Sequence, residues 1–447
     1  MRLSPALARF VFRPWFDRLT LRALTDLYFP LSRAWAAAEV ADGDGDAFAR
    51  ALGWGEGDPG IRRVRRALAK EQTARHAHKT ARAAWAEGFY AAEAPPGDEL
   101  ARLESARSQA AQAWMSTRRH FLPIHLRRRI VAVHDRTVAR DALNPRHTAR
   151  LTHPAHRFPA PPDARMRQTH AMPGRHGRVS WLTWTAPTLG DTAKARVIAP
   201  EGVRHPPTII DLHGIAMELE MWAGRGDPMA ARACPAGVRV VRPEGPWHGS
   251  RRVRGMWGGE PALAFAPEGF LDLFQAWVAE AGQLIAWARA TSDGPVGVAG
   301  LSLGALTAQL VASAAATWPR ACQPDAAMLA VTSGDLVEVA FEGRLSRRLG
   351  LIDRLHAAGW AHDDLAGLRP LLEPRGPPVM GGDNVVVALG THDRVTPYRG
   401  GAALAERWRV PAGNRFVARR GHFSVPLALA GEPAPIDRFV DILRARG

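Results

Sequence analysis

Residues 300–304 read Gly-Leu-Ser-Leu-Gly. They set one hydroxyl between two glycines, where the apolar run "PVGVA" ends and the small apolar stretch "ALTAQLVASAAA" begins. A strand running into a helix through so tight a turn lifts Ser302 to its tip and aims the helix N-terminus at any negative charge that forms there. A serine hydroxyl is a weak nucleophile near neutrality. It needs a base within hydrogen-bond reach and a third group to orient that base. Asp393, in "VVVALGTHDRVTP", and His422, in "RFVARRGHFSVP", each follow an apolar run late in the chain. They supply an orienting acid and a base, with Asp335 in "TSGD" as the rival acid. The oxyanion of a tetrahedral intermediate needs two N–H donors. Leu303, directly after the serine, offers one. Ile215 in "DLHGIAME" is the first choice for the other, with Gly214 next.

Other clusters are weaker. His248 and Arg251, in "RPEGPWHGSRR", could hold an anionic substrate group, or Arg251 could pair structurally with a carboxylate. His147, His153 and His156 are close in sequence, but no carboxylate or cysteine completes a ligand set there, so no metal is expected. "DGDGD" at 42–46 fails the calcium-loop pattern, because Ala47 replaces the required glycine and Gly53 the terminal glutamate. It reads as a turn. The chemistry of Ser302, Asp393 and His422 calls for no cofactor.

These residues need a frame that brings them together across 120 positions. Eight short apolar segments, at 178–184, 195–200, 207–214, 238–244, 296–302, 326–334, 384–390 and 414–421, alternate with helical patterns after the second. Runs apolar on both faces and separated by helices predict an α/β fold, with an eight-stranded, mostly parallel sheet covered on both sides. The first two strands pair antiparallel. Residues 335–378 form a helical insertion between the sixth and seventh strands. Its Leu336, Phe341, Leu349, Leu351 and Trp360 either line an acyl pocket or pack the insertion.

Residues 178–447 are the catalytic domain in this reading, 144–177 a Pro/His-rich connector, and 1–143 a basic helical extension. Within the extension, 61–93 and 98–120 read as a helical hairpin joined by "APPG". Residues 14–39 read as helical up to a break at Pro30, and the stripe Phe16, Leu19, Ala23, Leu27 is expected to pack on the protein itself.

"DLHG", "GLSLG", "GTHDRVTP" and "GHFS", in that order, resemble the alpha/beta-hydrolase superfamily over residues 178–447. The segment Pro246-Trp247-His248-Gly249-Ser250-Arg251 looks like the P-x-H-G-x-R stretch of dienelactone-hydrolase-like proteins and of the abhydrolase-domain-containing eighteen-type branch. The resemblance implies a strand-to-helix nucleophile elbow at Ser302, a Ser302–Asp393–His422 triad used in that chain order, and a cap formed by the insertion. It also implies acyl hydrolysis. It does not extend to residues 1–177.

Composition narrows the setting. The 447 residues carry a formal net charge of +16. Residues 1–150 hold 26 Lys and Arg against 16 Asp and Glu. That surplus suits an anionic membrane surface or nucleic acid, or is simply a solvated basic face. No nucleic-acid motif or interleaved aromatic platform accompanies it, so a nucleic-acid binder or non-catalytic scaffold is the weakest reading. Two cysteines make no disulfide framework, no signal peptide is expected at the N-terminus, and no transmembrane run occurs. A cytoplasmic serine hydrolase of small ester substrates is the first expectation. A peripheral lipid acyl hydrolase, touching anionic membrane through its N-terminal extension, is the second. Oligomeric state is left open.

Overall fold

The computed structural model describes residues 14–55, 61–218 and 227–446. The reading of the first thirteen residues as lacking a signal peptide lies outside these. One mixed sheet of ten strands organises the chain: β1 (Arg167–Gln168), β2 (Met172–Gly174), β3 (Gly177–Thr185), β4 (Thr192–Ala199), β5 (Thr208–Leu212), β6 (Arg239–Pro243), β7 (Val296–Leu301), β8 (Ala326–Ala330), β9 (Val385–Gly390) and β10 (Arg415–Ala418). Their spatial order is β1-β3-β4-β6-β5-β7-β8-β9-β10, with β2 on the edge of β3. Each of the eight expected strands is present. The two extra ones, β1 and β2, fold back antiparallel on β3 from within the connector, where prolines hid any alternation. Pairing is antiparallel from β3 to β4 and from β4 to β6, then parallel through β10. The antiparallel part thus extends one pair further than the sequence suggested.

The strands β6, β8 and β9 are buried along their whole length, as a doubly covered sheet requires. On one face, Val298, Leu329 and Val387 pack beneath the Glu268–Ala290 and Leu303–Ala314 helices. The other face carries Ile209, Val240 and Met328 against Phe439 and Leu443 of the Ala434–Arg444 helix. Trp85, Phe89 and Leu100 of the Ile61–Phe89 and Gly97–Ser116 helices join that second core, so the N-terminal helices are built onto the sheet.

Two features hold the first helices in place. Phe29 stacks on Trp257 with ring centroids 4.6 Å apart, and the buried Arg33 guanidinium pairs with Glu260 at 3.4 Å. Pro30 does not break this segment. It occupies the first turn of the Phe29–Ala41 helix, where its missing N–H costs little, and a π-turn over Leu24–Tyr28 joins that helix to Pro14–Ala23. Asp17, Leu21 and Thr25 face inward, while Leu19 (55% exposed) and Leu27 (40% exposed) point outward, so the expected apolar stripe is turned largely to solvent.

Between β8 and β9 lie five short helices from Leu336–Glu342 to Arg369–Leu372. Leu336, Leu351 and Trp360 belong to the main core, with Phe341 packed against it, so the packing role is the one seen. No helix among the described residues is long and apolar enough to cross a membrane.

Candidate functional site

Ser302 stands between β7 and the Leu303–Ala314 helix with φ 53° and ψ −116°, a backbone conformation that L-residues avoid. Steric necessity explains the glycines on either side. A Cβ on Gly300 would lie 2.2 Å from the Gly304 carbonyl oxygen, and one on Gly304 would lie 2.2 Å from that of Leu212. Strand, turn and helix therefore approach as closely as backbone atoms allow. The Ser302 N–H donates to the Ala330 carbonyl at 3.0 Å and ties the strained turn to β8.

Three side chains distant in sequence meet at this edge. His422 Nε2 is 2.9 Å from Ser302 Oγ, and His422 Nδ1 is 2.8 Å from Asp393 Oδ2. The other Asp393 oxygen accepts the N–H groups of Val395 (2.8 Å) and Thr396 (3.0 Å). The Thr396 hydroxyl lies 3.0 Å from Asp393 Oδ2 and 2.9 Å from the Val331 carbonyl. Asp393 is 4% exposed and His422 6% exposed, so this line of contacts is shielded from bulk water. Asp335 is elsewhere. It caps the Leu336–Glu342 helix through the Glu338 N–H and pairs with Arg369 at 3.3 Å, with no contact to His422.

Sequence reading missed Asp17, although it touches this site. Asp17 Oδ1 accepts the N–H of Phe423 at 2.6 Å and of Ser424 at 3.2 Å, and Oδ2 accepts the Ser424 hydroxyl at 2.5 Å. A Cβ on Gly421 would fall 2.5 Å from the Asp17 carboxyl carbon. The loop carrying His422 is thus clasped by a residue some 400 positions earlier, and nothing in "PWFDRL" signals it. Beside His422 lies a cavity of about 210 Å³, whose walls include Arg18, Leu21, Arg344 and Phe423.

The segment after β5 faces Ser302 from the other side. A Cβ on Gly214 would lie 3.7 Å from the Ser302 Cβ. Among the described residues the N–H groups of Leu303, Gly214 and Ile215 donate to no protein acceptor, which leaves them open to a ligand oxygen. Two buried histidines fix this segment. His213 Nδ1 donates to the Gly214 carbonyl at 2.8 Å, and its Nε2 accepts the Gly245 N–H at 2.9 Å. His248 Nδ1 donates to the Pro246 carbonyl at 2.8 Å, and its Nε2 accepts the Ala216 N–H at 3.2 Å. A carbonyl can only accept and an amide can only donate, so both rings are neutral Nδ1–H tautomers. Each histidine bridges the loops after β5 and β6.

That geometry removes His248 and Arg251 as substrate contacts. His248 is 0% exposed. Arg251 spends all five donors inside the protein: on Asp191 (2.9 and 2.8 Å), on Glu280 (2.7 Å twice) and on the Glu244 carbonyl (3.0 Å). Burial opposes its charge, but the attraction of Glu280 and Asp191 outweighs burial and raises its pKa. It is a structural clamp between the β6 loop and the Glu268–Ala290 helix. The three connector histidines do not converge either. His147 Nε2 is 3.0 Å from Asp272, within reach of Arg146 and Arg150, whereas His153 and His156 stack on each other.

Burial brings the His213 pKa down to about 4 and holds His248 well below the ordinary imidazole value. In the unfolded chain both take up protons near pH ~6.5. Between there and about pH 4 the unfolded state binds more protons, so stability falls as pH falls, by up to about 1.4 kcal/mol per pH unit for each ring. Urea unfolding near neutrality and at about pH 5 is expected to show this loss, and a His213→Gln variant a shallower one. Equal slopes in the two proteins would remove His213 from the account.

Residues 182–347 match the family model "Alpha/beta hydrolase domain containing 18". No curated protein matches the sequence. Among solved structures, the chain is similar to acetyl xylan esterase 1 from Thermoanaerobacterium sp. JW/SL YS485, at 15% identity over 69% of this chain and 96% of that one, with a TM-score of 0.46. It is also similar to an S-formylglutathione hydrolase from Agrobacterium tumefaciens, at 14% identity over 62% of this chain and 100% of that one, with a TM-score of 0.40. The family-model match over residues 182–347, the strand order and the glycine-flanked strand-to-helix turn together identify the alpha/beta-hydrolase fold in this chain.

Proposed function

We propose that this chain is a cofactor-free serine hydrolase of carboxylic esters that works through an acyl-enzyme. The observation that carries the reading is the continuous contact from Ser302 Oγ to His422 Nε2 and from His422 Nδ1 to Asp393. Ser302 Oγ attacks the ester carbonyl carbon while His422 Nε2 takes the hydroxyl proton. The carbonyl π electrons move to oxygen, which accepts hydrogen bonds from the N–H groups of Leu303 and of Ile215 or Gly214. Asp393 holds the Nδ1–H tautomer and favours the imidazolium that forms. Collapse of the intermediate expels the alkoxide, protonated by His422. Water, deprotonated by the same nitrogen, then releases the carboxylic acid and restores Ser302.

Turnover of p-nitrophenyl esters of increasing chain length tests this. Ser302→Ala is expected to lower kcat by roughly 10⁴ or more and Asp393→Asn by about 10⁴, each with an unchanged unfolding midpoint. Turnover retained by Ser302→Ala would reject the assignment.

A second reading, a lipid acyl hydrolase at an anionic membrane surface, has an observation of its own. Trp15 (42% exposed) and Leu19 (55% exposed) protrude from the Pro14–Ala23 helix beside Arg18, Arg22, Arg344 and Arg347, around a cavity next to the one that His422 lines. Apolar tips within a cationic rim suit a headgroup–acyl boundary. Removing the helix would also remove Asp17, so point changes are the cleaner probe. Trp15→Ser with Leu19→Ser is expected to reduce sedimentation with phosphatidylglycerol vesicles while leaving soluble-ester turnover intact. Undiminished sedimentation would count against this face.

A further inference from the structure

A separate cavity, also of about 210 Å³, lies between the Ile61–Phe89 and Gly97–Ser116 helices, the strands β3 and β4, and the loop after β6. Ser302, Asp393 and His422 are not among its walls. Its lining is cationic and aromatic, with Arg82, Arg107, Lys194 and Arg196 beside Trp85 and Trp181.

The carboxylates nearby are already engaged. Both oxygens of Glu104 accept from Arg107 at 2.8 Å, Glu39 accepts from Arg252 at 3.0 Å, and Glu244 holds the N–H and hydroxyl of Ser250. Arg196 is the exception. Among the described residues its guanidinium makes no ion pair, and its Nε is out of solvent with no hydrogen-bond partner. Its aromatic contact is Trp181, whose ring centre lies 6.0 Å away. Burial pulls its pKa down, against the opposing pull of Glu104 and Asp227. A chain that satisfies Arg251 with two carboxylates leaves this half-buried guanidinium without one. Arg82, exposed on the helix above, likewise makes no ion pair among the described residues, and it faces the same space.

We propose that this cavity binds a small organic phosphate. Its phosphoryl oxygens would accept from Arg196 and Arg82, and a flat apolar body would lie against the edge-to-face pair Trp85 and Trp181, whose centroids are 5.2 Å apart. Guanidinium forks match phosphate oxygens in pairs, and indoles offer a flat apolar wall. The volume falls below the ~300–1,000 Å³ of drug-sized sites, which limits the ligand to something near phenyl phosphate. This inference does not depend on the hydrolytic reading, because no residue of the Ser302 site takes part.

Isothermal titration of the full chain with phenyl phosphate, phenol and inorganic phosphate tests it, with tryptophan fluorescence read in parallel. Phenyl phosphate is expected to bind one per chain, to perturb the fluorescence, and to bind the Ser302→Ala variant equally well. Inorganic phosphate is expected to bind more weakly and phenol not at all. Arg82→Ala, an exposed helix change, is expected to weaken phenyl phosphate at least tenfold. Arg196→Met is expected to abolish binding while its ligand-free melting temperature stays level or rises, since a half-buried guanidinium with no carboxylate partner has gone. Absence of saturable phenyl phosphate binding, equal affinity for phenol, or undiminished binding by Arg82→Ala would overturn the proposal. A fall in the ligand-free melting temperature of Arg196→Met would do so too, because it would make Arg196 a structural residue.

Discussion

His422 Nε2 stands 2.9 Å from the Ser302 hydroxyl, and the residues that hold those two atoms there are far apart in sequence. On the serine side the constraint is steric. Gly300 and Gly304 let β7, its turn and the following helix pack backbone against backbone, which forces Ser302 to φ 53°. The histidine side relies on hydrogen bonds. Asp393 orients the ring from the loop after β9, while Asp17 grips the two residues that follow His422. A helix well outside the sheet therefore takes part in setting a distance inside the site.

Strain collects around the same edge. Of the six described non-glycine residues with positive φ, Ala216, Trp247, Ser302 and Val331 lie on the loops that converge there, and only Asp42 and Arg409 do not. Such conformations cost on the order of 1–3 kcal/mol each and persist only where neighbours over-determine them. Here the neighbours can be named. His248 accepts the Ala216 N–H, Gly259 donates to the Trp247 carbonyl, and the Thr396 hydroxyl lies against the Val331 carbonyl. The two neutral histidines and the fully committed Arg251 brace the loops after β5 and β6, the first of which passes close to Ser302 at Gly214.

Local rules carried the sheet and the elbow. Apolar runs of strand length and a serine between glycines are short-range signals, so they survive in one sequence. What escaped depends on contacts between residues that are not neighbours in sequence. Asp17 looks like any surface acid in a helix. Arg251 could be read either way because its partners, Glu280 and Asp191, lie 29 and 60 positions away. His248 looked like a substrate contact because a histidine on a catalytic-edge loop reads the same whether it faces the ligand or braces the backbone. The outward turn of Leu19 and Leu27 escaped because periodicity marks an apolar face without saying whether the protein covers it, and here the buried line is Asp17, Leu21 and Thr25.

The account stands or falls on which atom of the protein becomes covalently modified. Treatment with a fluorophosphonate, followed by intact-mass measurement and peptide mapping, reads this directly. The predicted result is a single adduct per chain on the peptide that carries Ser302, formed much more slowly when His422 is replaced by alanine. An adduct on another residue, or reaction at an unchanged rate without His422, would contradict it.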